Sequence, residues 1–429
     1  MMPAGGCRPA AGRGRAGGFA AVTAHLAVAT GPAEAARPWL DSWLHRHQGD
    51  LSALRRRLHA HPELSGAERA TTTLLADRLR RAGLSPRPLP AGAGLVCDVG
   101  AGPRTVALRG DLDALPLTDT KQVPYRSTVP GVCHACGHDA HATVVLGAGL
   151  VLAQAAKAGV LPGRVRLIFQ PAEEAVPGGA LGVIAAGGLR DVERIFAVHC
   201  DPRLDTGRIG LRVGPITAAC DAVEVRLAGP GGHTARPHLT VDLVYALGKV
   251  ITEVPGLLAR RADPRGGVSL IWGAVEAGVA GNTIPQAGAL RGTVRMLRRE
   301  AWEGAEGLVR RLIEEVVTPT GAQAEVRYRR GVPPVVNEAS SVAMLRAAAL
   351  AAAGPDAPDE TEQSLGGEDF AWYLDGVPGA MARLGVRTPG DTGPYLDLHQ
   401  PTFDIDERAL AVGVRLLTHV AVAALHALA

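Results

Sequence analysis

The sequence predicts an α/β protein with a mostly parallel central sheet, into which a smaller α+β unit is inserted. Short apolar runs alternate with helical stretches through the first half of the chain, a pattern typical of a parallel sheet covered by helices on both faces. Near Gly214 the pattern changes to alternating strands and longer helices, and Pro333 and Pro334 close this stretch. With 429 residues, 47% of them hydrophobic, the chain is long enough for two domains.

The elements of the first part can be assigned in chain order. Ordered structure is expected to begin near Pro38, and residues 1–37, rich in Ala, Gly and Arg, are expected to form a disordered extension. Ser65 and Glu68 have the spacing of a capping box, which predicts a helix that ends at Gly83. The other predicted elements are a helix at Leu40–Ala60, a strand at Thr105–Arg109, a helix at Ala140–Ala156, a strand at Arg164–Gln170, a helix at Gly179–Ala186 and a strand at Arg194–His199.

The predicted insert covers residues 214–330, which leaves 38–213 and 331–429 for the main domain. Its predicted elements are strands at Asp221–Leu227, Val268–Val275, Ala289–Met296 and Glu325–Tyr328, and helices at Val241–Leu258 and Ala301–Val317. Two further helices, Ser340–Ala353 and one from Glu407, are expected to return to the main domain. The insert is of ordinary domain size.

The composition argues against several classes of function. Net charge is only +3, the arginines alternate with acidic residues, and aromatic residues make up 3% of the chain, which is unlike a nucleic-acid-binding surface. No apolar run is expected to span a membrane, and the six cysteines do not resemble a secreted disulfide framework. We therefore expect a cytoplasmic protein that binds a small molecule, with neither nucleic acid nor a membrane as partner.

Acidic and imidazole side chains follow four predicted strands. The strand at Val106–Arg109 runs into Asp111 and Asp113, Arg194–His199 ends in a histidine, and a predicted strand at Tyr395–Leu398 ends at His399. The fourth, Arg164–Gln170, is followed by two glutamates. A single histidine after a strand is usually structural, but four such strands predict a site along the edge where open α/β sheets bind ligands.

The stretch from Cys133 to His141 is the densest group of metal-binding residue types. It contains Cys136 and His138 just before a predicted helix, where a loop can direct several ligands to one point. No second Cys-x-x-Cys follows Cys133 and Cys136, so a zinc ribbon is not indicated. The alternative is a buried cysteine beside a helix-capping Asp139.

Glu173 and Glu174 form an adjacent pair after a strand that should be buried. Paired carboxylates in a loop are usually only solvated, but the end of a buried strand places both in a cleft. One carboxylate can then bind a metal ion while the other accepts a proton from water.

The insert adds a glycine-rich loop, Gly229–His238, that presents His233. The loop lacks the Lys-Ser/Thr ending of a phosphate loop, and a flexible turn is an equally good interpretation. A histidine there can polarise a carbonyl group. Arg295, on an alternating strand, is either a surface residue or a carboxylate clamp.

Taken together, these residues resemble the M20 metallopeptidase family, and within it the amidohydrolase branch of hippurate hydrolases, N-acyl-amino-acid aminoacylases and plant auxin-conjugate hydrolases. The resemblance covers about residues 50–415 and rests on an ordered set of motifs rather than on any single one. The motifs are Arg109–Pro116, His134–Asp139, Phe169–Glu174, Gly232–His233, Asn282–Pro285, Gly292–Arg295, Gly367–Phe370 and Leu398–His399.

The resemblance implies a di-metal catalytic domain with an inserted lid domain that also forms a homodimer. It implies two divalent ions, zinc or manganese, and hydrolysis of the amide bond of N-acyl amino acids. By position, the implied metal ligands are Cys136, His138, Glu174, His199 and His399. The implied catalytic residues are Glu173 as general base, Asp113 as a supporting acid and His233 as a lid histidine that reaches the substrate carbonyl, often from the partner subunit; Asn282 and Arg295 are implied to hold the substrate carboxylate.

Two positions depart from the usual pattern of this branch: Ala140 stands where glycine is usual, and Cys133 replaces an apolar residue. Neither removes an implied ligand, but both affect the predicted pocket shape. Three alternatives remain: a small-dipeptide metallopeptidase of the same family, a non-catalytic binding protein on this scaffold, and a zinc nucleobase deaminase. The deaminase rests on His61, Glu63 and the Cys133–Cys136 spacing, and it leaves the glutamate pair and His399 without a role.

Overall fold

The computed structural model describes residues 30–428, so residues 1–29 of the expected disordered extension lie outside it. The first helix begins at Thr30, earlier than the start expected near Pro38. The helices are α1 Thr30–Ala60, α2 Arg69–Arg81, α3 His138–Lys157, α4 Ala180–Ala185, α5 Leu243–Arg261, α6 Arg299–Val317, α7 Ala339–Ala353, α8 Ala371–Leu374 and α9 Arg408–Leu428.

The strands are, in chain order, β1 Arg87–Pro88, β2 Leu95–Gly100, β3 Thr105–Asp111, β4 Arg164–Gln170, β5 Arg194–Asp205, β6 Ile209–Leu211, β7 Gly214–Pro215, β8 Ala219–Ala228, β9 Gly232–His233, β10 Ser269–Ala277, β11 Thr283–Ile284, β12 Ala287–Met296, β13 Gln323–Val332, β14 Val336–Asn337, β15 Pro358–Glu360 and β16 Gly379–Arg387. The predicted helices and most predicted strands are present, with ends shifted by a few residues.

The larger sheet has eight strands in the order β1-β2-β4-β3-β5-β16-β6-β15. Its centre, from β4 through β3 and β5 to β16, is parallel. Helices α1, α3 and α9 contribute to the core on one face, while α4 and α8 contribute to a smaller core on the other. This is the mostly parallel, two-faced α/β arrangement that the alternation of strands and helices predicted.

The smaller sheet has four antiparallel strands in the order β10-β12-β8-β13. Helices α5 and α6 pack on one face of it and form a second hydrophobic core with side chains of the sheet. The strands lie between residues 219 and 332, close to the predicted insert of 214–330. The domain boundaries themselves remain a prediction.

Three local predictions were wrong. His199 lies in the middle of β5, which continues to Asp205, because the strand pairs with β16 over most of this length. Residues 395–398 form a loop rather than a strand. The capping box is not formed: α2 begins at Arg69, and it is Glu63 that accepts hydrogen bonds from the backbone of its first turn.

Helices α3 and α9 are long and apolar enough, by length and composition alone, to cross a membrane. In the fold, 83% and 78% of their apolar windows are buried. The two helices pack against each other and against β3. Burial in the core of the larger sheet therefore explains the apolar composition of these two helices.

Candidate active site

The predicted site residues of the larger sheet and its loops meet at the carboxyl ends of the parallel strands, around a cavity of about 290 Å³. Loops after β3 and β4, the loop before α3 and the middle of β5 all contribute. The cavity is lined by Cys136, Glu173, Glu174, His199 and His399 from the larger sheet and its loops, and by Arg295 from β12 of the smaller one.

A tight turn before α3 positions the first two candidate ligands. Gly137 has a φ of 86°, in the left-handed region, and a Cβ there would lie 2.8 Å from the sulfur of Cys200. Only glycine fits both conditions, so the turn can place Cys136 and His138 side by side. The backbone N–H of His399 donates to the carbonyl of Ala135 over 2.7 Å, which ties the distant loop to this turn.

The two buried histidines are oriented by hydrogen bonds from their Nδ1 atoms. His138 donates from Nδ1 to Asp113 over 3.2 Å, and His199 donates from Nδ1 to the carbonyl of Cys200 over 2.8 Å. Both rings therefore keep Nε2 available, as metal-binding histidines do when the other nitrogen is fixed by an acceptor. The Nε2 of His138 lies 3.9 Å from a carboxylate oxygen of Glu173 and of Glu174. The Nε2 of His199 lies 3.6 Å from the sulfur of Cys136.

Asp113 connects three parts of the site. It accepts hydrogen bonds from the hydroxyl of Ser65 at 2.7 Å and from the backbone N–H of Glu174 at 2.9 Å, in addition to that from His138. Burial alone would raise the pKa of Asp113, but these donors hold it below its usual value. Asp113 is thus an anion that orients His138 and fixes the glutamate loop. Ser65, which we expected to cap a helix, donates a hydrogen bond to this carboxylate instead.

The adjacent glutamates differ in their surroundings. Glu174 Oε1 lies 3.3 Å from Nε2 of His399. Burial raises the pKa of Glu173 well above its usual value, and the carboxylates of Glu368 and Glu174 add to the effect. A carboxyl group whose neutral form is favoured in this way is suited to accept a proton during a reaction. Glu68 supports the loop by accepting from the backbone N–H of Ala172 over 2.7 Å.

The donor set fits divalent metal ions. Ligand atoms of Cys136, His138 and His199 lie within 4.8 Å of one another, as do those of Cys136, Glu174 and His399. Within residues 30–428, the buried atoms His138 Nε2 and Glu174 Oε1 have no hydrogen-bond partner. Such atoms are costly unless something else binds them. A thiol, three imidazoles and a carboxylate favour a zinc-like cation, although several first-row ions accept the same donors.

A buried ionic network behind the glutamates was not predicted. Arg109 donates to Asp111 over 2.6 Å, to Asp369 over 2.8 Å and to Glu368 over 3.0 Å. These residues belong to the motifs that carried the resemblance, but neither strand pattern nor spacing shows that positions 260 residues apart in the chain are paired. His141 is likewise structural: it donates to Asp111 and accepts from the backbone N–H of Cys200.

Residues 107–423 match the model of Peptidase family M20/M25/M40. The chain is 35% identical over 367 residues to N-acetyl-L-cysteine deacetylase of Bacillus subtilis, covering 84% of both proteins. The solved structure of a dinuclear metal-binding peptidase of the M20 family, also from Bacillus subtilis, superposes with a TM-score of 0.76 at 33% identity, covering 89% of this chain and 99% of that one. The chain belongs to the M20 peptidase family. It is accordingly a hydrolase that acts on amide carbon–nitrogen bonds, as the motifs implied.

One M20 relative is much longer than this chain. A Rhodococcus jostii protein assigned as glutamate–cysteine ligase 2-3 is 52% identical over 366 residues, which cover 85% of this chain but 45% of that protein. The ligase name describes the longer protein.

The insert of this M20 chain supplies one predicted residue to the cavity and leaves two outside it. Arg295 lines the cavity, and its guanidinium donates to the carbonyl of Leu365. His233 and Asn282 are exposed and do not line it. They lie together, because β9 pairs with β11 so that His233 faces Thr283. The Nδ1 of His233 accepts from the backbone N–H of Ala235 over 3.0 Å, which leaves Nε2 as an outward donor.

The deaminase alternative does not fit this arrangement. His61 is on the surface beside Thr128, and Glu63 accepts hydrogen bonds from the first turn of α2. Neither residue lines the cavity around Cys136.

Proposed function

We propose that the protein hydrolyses the amide bond of small N-acyl amino acids, hippurate-like or N-acetylated, to a carboxylic acid and a free amino acid. The observation that carries this proposal is the position of Arg295 in the cavity that contains the candidate metal ligands. A guanidinium group there can bind the α-carboxylate of the substrate through paired hydrogen bonds. The name of the Bacillus subtilis deacetylase is in keeping with this class of substrate.

We further propose that two divalent ions, zinc or manganese, bind to Cys136, His138, Glu174, His199 and His399. When bound, the ions supply Lewis-acid chemistry by lowering the pKa of water and polarising the amide carbonyl. Burial raises the pKa of the Cys136 thiol well above its usual value, so its thiolate form needs a cation beside it. This donor set supports the proposal but does not distinguish between the two metals.

Glu173 is the proposed general base. Its carboxylate removes a proton from the attacking water and later delivers that proton to the departing amine, so the amine leaves uncharged and the acid is released. Asp113 fixes the ring of His138 and the backbone of Glu174 during these steps. Arg295 holds the α-carboxylate, which orients the scissile carbonyl relative to Glu173.

The lid histidine is proposed to act in a homodimer. His233 and Asn282 are exposed on the insert, and β10 is an edge strand of the four-stranded sheet that presents Ile271 and Val275 to solvent. An exposed apolar edge strand favours pairing with another chain. A second copy that covers this edge can bring His233 to the oxyanion of the substrate in the partner and Asn282 to its carboxylate.

We propose a cytoplasmic location, since the five cysteines in the described part of the chain are all free thiols, which a reducing compartment maintains.

The substrate class is tested by comparing N-acetyl and N-benzoyl amino acids with their α-amides and with unblocked dipeptides. We expect cleavage of the acids, and weaker cleavage of the amides by roughly 2–5 kcal/mol in kcat/KM, because the amide leaves the guanidinium without its partner. In the Arg295→Ala variant this difference should largely disappear. Arg291→Ala is the matched control, because Arg291 lies on the same strand, is exposed and pairs with Glu276. Equal rates for acid and amide in the wild type would contradict the clamp, and preferred cleavage of dipeptides would indicate a dipeptidase.

A further inference from the structure

Arg383 is a buried arginine in the wall of the active-site cavity that no motif indicated. It lies on β16, in register with His199 of the neighbouring parallel strand β5. Its side chain is only 5% exposed, and it lines the same cavity as Cys136 and Glu173. The guanidinium group therefore lies beside the proposed metal centre rather than at the protein surface.

One nitrogen of this guanidinium group has no partner. Within residues 30–428 the group forms no ion pair, and its buried Nε atom has no hydrogen-bond partner. The two carboxylates that influence it most, Asp201 and Glu368, do not form an ion pair with it. Asp201 binds Arg203 through both oxygens at 2.9–3.0 Å. Glu368 Oε1 accepts from Arg109 at 3.0 Å and from the backbone N–H of Phe370 at 2.9 Å, while its buried Oε2 has no hydrogen-bond partner.

The other buried arginines in the described part of the chain, Arg55, Arg109 and Arg166, form ion pairs. Arg55 donates to Asp139 and forms an ion pair with Asp404, both at 2.8 Å. Arg109 contacts three carboxylates within 3.0 Å. Arg383 is thus the exception among these buried arginines, since it forms no ion pair although its residue lines the cavity.

An unpaired guanidinium group is costly at this position. It cannot lose its proton to escape burial, unlike a lysine or histidine. Burial without a partner costs several kcal/mol, and the cations proposed next to it add repulsion. An anion in the cavity would remove both costs. The α-carboxylate is assigned to Arg295, which enters from the four-stranded sheet, so the anion at Arg383 is a second one.

We propose that Arg383 binds a second carboxylate of the substrate, so that the preferred substrates are N-acyl amino acids with two carboxylates. This proposal rests on the proposed function, because it takes the α-carboxylate as already held by Arg295. The second carboxylate belongs either to the acyl group, as in an N-succinyl amino acid, or to the amino-acid side chain, as in an N-acyl glutamate. A cavity of about 290 Å³ accommodates one molecule of this size.

The test uses two pairs of substrates with the metal-loaded, full-length enzyme. N-acetylglutamate is compared with N-acetylglutamine, and N-succinylalanine with its uncharged succinamoyl analogue. We expect the wild type to prefer the diacid in one of the two pairs, which identifies the source of the carboxylate. In Arg383→Gln that preference should fall about 10- to 150-fold, as expected for the loss of a hydrogen bond to a charged group, mostly through KM. Arg387→Gln, at the exposed end of the same strand, should retain it.

A binding measurement separates this proposal from the proposed function. Calorimetry with succinate and glutarate should show binding to the wild type and to Arg387→Gln, and much weaker binding to Arg383→Gln, whether or not any substrate is cleaved. If no N-acyl amino acid is hydrolysed but this difference is observed, the proposed function fails while the anion site stands. The proposal would be overturned if Arg383→Gln lowered kcat/KM equally for both members of each pair and left diacid binding unchanged. That result would show that Arg383 only neutralises the charge of Glu368.

Thermal unfolding serves as the check on folding. If Arg383→Gln fails to fold, Arg383→Met takes its place, because it removes the charge while keeping a long apolar side chain. A preserved diacid preference in the methionine variant together with unweakened diacid binding would also contradict the assignment.

Discussion

The larger domain and the insert present their functional residues in opposite ways. In the larger domain, His138 is fully buried and His199 is 8% exposed, each with Nδ1 fixed and with Nε2 within 4 Å of another candidate ligand. In the insert, His233 and Asn282 are exposed to solvent. The difference is in keeping with the proposed homodimer, in which one chain would supply the proposed ligand cluster and the insert would present groups to the partner.

The two regions also differ in how they use charge. Most buried ions near the site in the larger domain are paired, as in Arg55–Asp139, and Arg383 is the exception. Those of the insert, such as Arg265–Asp263, lie at the surface, where ion pairs contribute little to stability. Substitutions should therefore be severe in the first region and mild in the second, except at the groups that act on the substrate.

The largest effect is expected for Glu173→Gln. Removing the general base should lower kcat by about 10²–10⁴-fold while metal binding is retained, because Glu174 and the other ligands are unchanged. Steady-state kinetics together with metal analysis measures both. Glu193→Gln, a partly exposed residue that pairs with Arg104, is the control. Near-normal turnover in Glu173→Gln would show that Glu173 is not the general base.

Asp139→Asn should be the most damaging change to stability. Burial alone would raise the pKa of Asp139, but Arg55 and His59 hold it well below its usual value. Losing one member of a buried pair costs about 3–5 kcal/mol, measured by denaturant unfolding. Because the folded pKa is depressed, this contribution is present above the unfolded pKa of about 3.9 and is lost as the pH falls below it. Asp263→Asn, at the surface of the insert, should leave the midpoint unchanged; a comparable loss there would contradict the contrast between the regions.

His233→Ala should lower kcat by about 10²–10³-fold, the usual effect of losing one donor to an oxyanion. Mixing inactive Glu173→Gln with inactive His233→Ala subunits should restore part of the activity once subunits exchange, because one active site then has both groups. His238→Ala, in the same exposed loop, is the control. If exchange is demonstrated and activity does not return, the histidine acts within its own subunit or not at all.

Ser65→Ala should have the smallest effect. It removes the hydroxyl that donates to Asp113 and is expected to weaken metal affinity about tenfold, the lower end for residues that support a ligand. Titration with the metal in a competing chelator measures this, and Ser65→Thr, which keeps the hydroxyl, should behave like the wild type. An unchanged affinity in the alanine variant would mean that Glu174 N–H and His138 suffice to hold Asp113.

Much of this protein follows from sequence-local features. The strand Arg164–Gln170 was predicted with its observed ends, since an apolar run bounded by turn residues forms a buried strand. The cluster Cys136–His138 and the pair Glu173–Glu174 were located because each group is contiguous in the chain and adjoins a recognisable element, a helix start in the first case and a strand end in the second. Parallel strands align their carboxyl ends, and this brought the separate groups to one edge.

Only the tertiary structure showed which residues support the site, and which predicted site residues lie at the cavity and which lie on the surface of the insert. Ser65 and Glu68 have the spacing of a capping box, yet they bind Asp113 and the backbone of Ala172, because packing brought these acceptors and donors closer than the helix end. His399 follows no strand and reaches the site through a loop held at Ala135. The sequence likewise does not show that Arg383 lacks an ion pair, since ion pairing depends on side chains that are distant in the chain. Local propensity determines elements, whereas burial and long-range pairing determine which polar groups remain available for a ligand.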